Sequence, residues 1–175
     1  GKTPAPVAPS PSRGSPKTVI MVPVEGSEST VIGFGIPVTA RNDPDYLALR
    51  LANQVFGGSA SSRLFSTLRD KLGLCYGAYS TLDCGRFGGD LTAIISMDSG
   101  RSGEGFDAIC TEFHRMSDGD VPAADAAYAK RFLVGSFPQR ASGLSGLASL
   151  ITAAWLHDLP QDLSLIHISE PTRRR

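Results

Sequence analysis

The feature that most constrains this chain is a pair of short-linked strand patterns. Residues 18–24 and 30–38 are rich in Val and Ile and are separated by Glu25, Gly26 and Ser27, which predicts two strands joined by a turn. Residues 76–82 and 87–97 repeat the arrangement around a turn at 83–86, and the second of them carries the alternation Leu91, Ala93, Ile95 of a half-buried strand. Between the two hairpins lie helical patterns. Asp43 followed by Pro44 predicts an N-cap with proline at the first helical position, Leu47, Leu51 and Val55 recur every four residues, and Gly57-Gly58 stops the helix. Ser61 and Ser62 are expected to cap a second helix with Leu64, Phe65, Leu68 and Leu72 on its inner face, ended by a left-handed Gly73. After the second hairpin, residues 105–116 present Phe106, Ile109, Cys110 and Phe113 at helical spacing. Residues 122–132 start another helix after an Asp-Gly-Asp turn, and 144–156 form a last one. This order predicts an α+β fold, a largely antiparallel sheet with helices packed on one face.

The ends read differently. Residues 1–16 carry Pro4, Pro6, Pro9, Pro11 and Pro16 among Ala, Ser and Gly, a mixture that favours extended chain and is expected to be a disordered linker to something upstream. The Gly-Lys-Thr start has neither an initiator Met nor an apolar signal core, so the chain is expected to begin inside a longer reading frame. Residues 163–175 resemble the translation of a transposon-type sequencing adapter and are set aside as an artefact tail. The domain is therefore assigned to 17–162. Lys and Arg together balance Asp and Glu at 17 each. Without 163–175 the count is 14 basic against 16 acidic residues. No broad basic field exists to hold nucleic acid, and no apolar run is long and unbroken enough to span a membrane. Cys75, Cys84 and Cys110 are odd in number and lack a CxxC pair, so they read as free thiols.

The sequence holds no complete catalytic constellation. His114, His157 and His167 include no pair at i, i+4 spacing, the spacing that puts two imidazoles on one zinc. His167-Ile-Ser-Glu170-Pro171 fails as H-x-x-E-H because Pro171 replaces the second ligand. Gly57-Gly58-Ser59-Ala60-Ser61 is not the G-x-S-x-G of a serine hydrolase. The same loop could hold a phosphate on backbone N–H groups with help from Arg63, yet it lacks the Gly-Lys-Ser/Thr ending of a P-loop. Helix termination and capping account for it better.

One block is specific. Asn53-Gln54-Val55-Phe56-Gly57-Gly58-Ser59-Ala60-Ser61-Ser62-Arg63-Leu64-Phe65, followed by Leu68-Arg69-Asp70-Lys71-Leu72-Gly73-Leu74-Cys75-Tyr76, resembles the pitrilysin/insulinase family of zinc metallopeptidases. The resemblance is to that family's carboxy-terminal, non-metal domain of LuxS/mitochondrial-processing-peptidase-like fold. It extends through Asp43-Pro44-Asp45-Tyr46, Ala129-Lys130 and Val134-Gly135-Ser136-Phe137-Pro138 to Leu159-Pro160, roughly residues 17–162. If the chain changes identity near Leu163, the family's last elements are missing and the domain is truncated at its C-terminus.

The resemblance implies that zinc sits on an inverted H-x-x-E-H motif in a homologous partner domain, in cis or as a subunit in trans, and that this chain binds none. It implies a bacterial setting, with a lean toward an exported member, and a peptide substrate. Arg69 and Tyr76 match the family's Arg and Tyr in type and seven-residue spacing and are the expected site residues. Both are donors suited to negative charge building on a carbonyl oxygen. The alternative role for such a domain is a non-catalytic scaffold or binding subunit. A departure stands at Ser27-Glu28-Ser29, where the family often has Gln, and it bears on edge pairing with substrate or partner.

Overall fold

The computed structural model describes residues 19–159. The proline-rich segment 1–16, Thr18 and the adapter-like tail with His167 lie outside the described residues.

A three-stranded antiparallel sheet in the order β1-β3-β2 organises the domain, with β1 at Ser29–Val38, β2 at Cys75–Cys84 and β3 at Gly89–Asp98. The second hairpin forms as expected, with β2 and β3 paired from Cys84↔Gly89 back to Cys75↔Met97. β1 lies along the other side of β3, Ile32 opposite Ile95 and Phe34 opposite Ala93. Period-two alternation then places Leu91, Ala93, Ile95 and Met97 on one face, where all four are buried.

The first hairpin does not form. Residues 19–24 carry no strand, and Val19, Ile20, Met21, Val22 and Val24 are all exposed. Four consecutive apolar residues give this segment no polar side for water, and no second layer in the described residues covers it. Strand propensity measures fit to a half-buried pleated surface, so without such a surface it pairs nothing. The turn itself is present: Ser27 N–H donates to Val24 O at 3.3 Å, with Gly26 at φ +75°.

The helices pack on one face, as the sequence predicts. Helix α1, Tyr46–Phe56, begins later than expected. Asp43 caps a turn instead, its Oδ1 accepting from Asp45 N–H at 2.8 Å while its carbonyl accepts from Tyr46 N–H at 3.1 Å. The second helical segment opens at Arg63 and widens into a π-helix, Phe65–Lys71. Leu64 and Leu68 are fully buried, but the wider turn carries Leu72 out of their line, and it is 47% exposed. Ser62 Oγ is buried without a partner, so Ser62 does not cap this helix. Gly73 ends it at φ +57°, donating to Arg69 O, and Leu74 N–H reaches back to Leu68 O at 2.8 Å. After β3 and a single 3-10 turn come α2, Ser102–Ser117, α3, Ala123–Ala141, and α4, Gly143–Leu156.

The core joins Phe56, Leu64, Leu68, Leu74 and Ile109 from the helical side to the inner face of the sheet. Phe113 of α2 ties the layers together, 4.8 Å from Phe34 and 6.1 Å from Phe56 between ring centroids. Helix α4 presents Leu144, Leu147, Ile151 and Trp155 to solvent. Among the described residues no helix is long and apolar enough to cross a membrane.

The three cysteines are unpaired, with Cys75 and Cys84 buried and Cys110 half-buried. Burial pushes both buried thiols above their ordinary pKa, which lowers their thiolate fraction at neutral pH. Native-state iodoacetamide should therefore label Cys110 first, and all three at similar rates in denaturant. Equal labelling of all three under native conditions, followed by peptide mass spectrometry, would contradict this packing.

Candidate functional site

Local chemistry sets up a groove beside β2. Helix α1 ends against this strand: Ser80 N–H donates to Gly57 O at 2.8 Å, and Ser80 Oγ donates to Asn53 Oδ1 at 2.7 Å. The approach is so close that a Cβ on Gly57 would lie 2.4 Å from Ser80 Oγ and 2.5 Å from its backbone nitrogen, while one on Gly58 would meet Gln54. Both glycines are thus required by sterics as well as by helix termination. Gly57, Gly58, Ser59 and Ala60 form one wall of an open groove of about 360 Å³, and Gly77, Ala78, Tyr79 and Ser80 of β2 form the other, with Phe65 between them.

The two predicted residues stand at the margins of this groove without lining it. Arg69, on the exposed side of the π-helix, lays its guanidinium 4.9 Å from the centroid of the Phe65 ring, a cation–π contact. Its charge also reaches Cys75, where it partly offsets the effect of burial on that thiol. Tyr76 is the next residue and immediately precedes groove residue Gly77. It occupies a β-bulge, the register stepping from Cys75↔Met97 to Gly77↔Ser96, and its side chain is 77% exposed. A bulge leaves one residue unpaired and re-aims its side chain. Among the described residues neither the Arg69 guanidinium nor the Tyr76 hydroxyl has a hydrogen-bond partner, so both keep their donors available.

Arg63 does not serve the glycine loop. Its guanidinium turns away from the loop and donates from Nε to Glu112 Oε2 at 3.1 Å. The groove is lined by backbone and mostly apolar side chains, with no cation among them. Glu112, buried on α2, was not among the residues singled out from sequence. The available signal was its place three residues after Ile109 and four before Met116 on the buried stripe of α2. No group of three or more His, Cys, Asp or Glu among the described residues could hold a metal ion, so the residues present do not fit a zinc centre.

Fold and site together define an α+β domain with helices on one face of an antiparallel sheet, an open groove beside β2 and, among the described residues, no group of side chains that could hold a metal ion. Comparison with known families agrees. The model of the Peptidase M16 inactive domain matches residues 1–133, and the chain belongs to that family. It is 28% identical over 144 residues to the Bacillus subtilis (strain 168) protein named "Probable inactive metalloprotease YmfF", covering 81% of this chain and 33% of that protein. An uncharacterized zinc protease of Streptomyces coelicolor is 38% identical over 89 residues, 47% of this chain and 19% of the relative. Among solved structures, a peptidase M16 inactive domain from Pseudomonas fluorescens superimposes with a TM-score of 0.75 at 25% identity, covering 85% of this chain and 35% of that one. The chain thus spans about a third of the length of the first two proteins it matches along most of its own length.

Proposed function

We propose that this chain is the substrate-gripping, transition-state-stabilising half of a zinc-dependent endopeptidase, inactive without the region, in cis or in trans, that carries the H-x-x-E-H site. Zinc in that region would supply an activated water. The residues of this chain would act on the peptide: Arg69 forks onto a substrate carbonyl, and Tyr76 donates its phenolic proton to an oxygen that gains negative charge. The observation that carries the reading is the pairing of family membership with two exposed, unpartnered donors at the edge of one groove. The groove beside them runs along β2, an outer strand of the sheet, and the margin of a sheet suits an extended peptide.

The test is Arg69→Ala in the complete natural protein, assayed on a mixture of internally quenched peptides. Turnover should fall about 10²- to 10³-fold, with zinc content and thermal midpoint unchanged. Unaltered turnover would remove Arg69 from the mechanism.

A second reading, a non-catalytic scaffold or binding subunit, is favoured by one observation, the name of the Bacillus relative. The two readings part on the wild-type protein: a zinc-loaded complete assembly that cleaves none of the quenched peptides but still binds them supports the scaffold.

A further inference from the structure

A carboxylate lies buried at the foot of the helix that carries Arg69. The Glu112 side chain is 3% exposed and that of its partner Arg63 is 9% exposed. Three donors converge on it: Arg63 Nε on Oε2 at 3.1 Å, Thr67 Oγ1 on Oε1 at 3.3 Å and Arg115 Nη1 on Oε1 at 3.0 Å. The cluster closes through Asp120. Arg115 Nε donates to Asp120 Oδ2 at 2.7 Å, Arg63 Nη2 stands 3.6 Å from the same oxygen, and Arg63 Nη1 donates to the Asp120 carbonyl. The Arg115 hydrogen bond holds the Asp120 carboxyl below its ordinary range.

A buried ion pair is seldom a net source of stability, because desolvation offsets the attraction. Apolar residues of similar volume usually do as well. Geometry is what such a cluster can fix and an apolar cluster cannot. Thr67 shows what is fixed here. Its hydroxyl is held by Glu112, while its carbonyl accepts from Leu72 N–H at 3.1 Å, the five-residue bond that defines a π-helix. Relaxing that turn to α would shift the register by one residue, about 100° around the axis, and would carry Arg69 off its seat on Phe65.

We propose that Glu112 is a positioning residue: through Arg63 and Thr67 it holds the π-register of residues 65–71 and so sets where the Arg69 guanidinium stands. The inference rests on the functional reading given above for Arg69. It is tested in the complete protein by replacing the pair with apolar residues, Arg63→Met with Glu112→Leu. The double variant should keep its thermal midpoint and zinc content. Its kcat on the quenched peptides should fall on the order of ten- to a hundredfold, the scale of a small misplacement of a working group, with KM little changed. Amide exchange at Leu72, Gly73 and Leu74 should quicken. Thr67→Val, which deletes a single hydroxyl, should move both readouts in the same direction and serves if the double variant does not fold.

The decisive comparison is with Arg69→Ala. If Glu112 acts through Arg69, adding the Arg63→Met and Glu112→Leu changes to Arg69→Ala brings no further loss of kcat. A stable double variant with wild-type kcat, or losses that multiply in the combined variant, would overturn the positioning role and leave Arg69 its own. Arg69→Ala with wild-type turnover would sink the functional reading and the positioning role together.

Discussion

In the complete protein, Tyr76→Phe should lower kcat about 10²- to 10³-fold, the cost of removing one donor from an oxyanion site, and should leave the fold untouched. The second half of this expectation follows from where the residue stands. Tyr76 is 77% exposed and sits in the bulge between Cys75 and Gly77, so neither a packing contact nor a ladder bond depends on its hydroxyl. The substitution deletes one oxygen and keeps the ring. A structural role for the phenol would show as a shifted melting temperature with proportionate loss of activity. A catalytic role shows as lost kcat at constant melting temperature and constant zinc content. Arg69→Lys sharpens the comparison, since it retains the positive charge and loses the planar fork. Partial activity there would assign charge and fork their separate shares, and full activity in Tyr76→Phe would take the phenol out of the mechanism.

Much of this fold was legible from local pattern. Residues 76–82 and 87–97 read as a hairpin because alternation and a turn agree, and the strands form there, β2 longer at both ends and β3 starting two residues later and ending one later. Gly73 read as a left-handed stop because a helical pattern ended at it, and its φ of +57° agrees. Where the reading failed, the missing information was not local. Val19 to Val24 have strand composition but nothing to pack on, and no window of sequence shows that absence. Leu72 continues the 3.6-residue spacing of Leu64 and Leu68, so only the switch to a π-helix removes it from the core. Glu112 is not legible in the sequence, because a carboxylate on a buried stripe looks like an interruption until its partners, 45 and 49 residues earlier in sequence, are known to meet it. Arg69 and Tyr76 came from the match to a family motif. Their exposure and their places at the edge of the glycine-walled groove are three-dimensional facts that the motif alone does not contain.

The switch to a π-helix makes the second large prediction, because it assigns opposite fates to two leucines that sequence periodicity treats alike. Leu68 is fully buried among Phe56, Leu64, Leu74 and Ile109, so Leu68→Ala removes apolar area and leaves a cavity that close-packed neighbours fill only in part. The cost should be about 2–5 kcal/mol, which is a large share of the margin available to a domain of this size. Leu72 is 47% exposed, and Leu72→Ala should stay within about 0.5 kcal/mol of wild type. Urea denaturation followed by far-UV circular dichroism measures both. A regular α-helix in place of the π-helix would put both leucines on the inner face and give two comparable losses, and that result would also remove the register on which the seat of Arg69 depends. Unequal losses place the widened turn, and with it the register that seats Arg69 on Phe65, in solution.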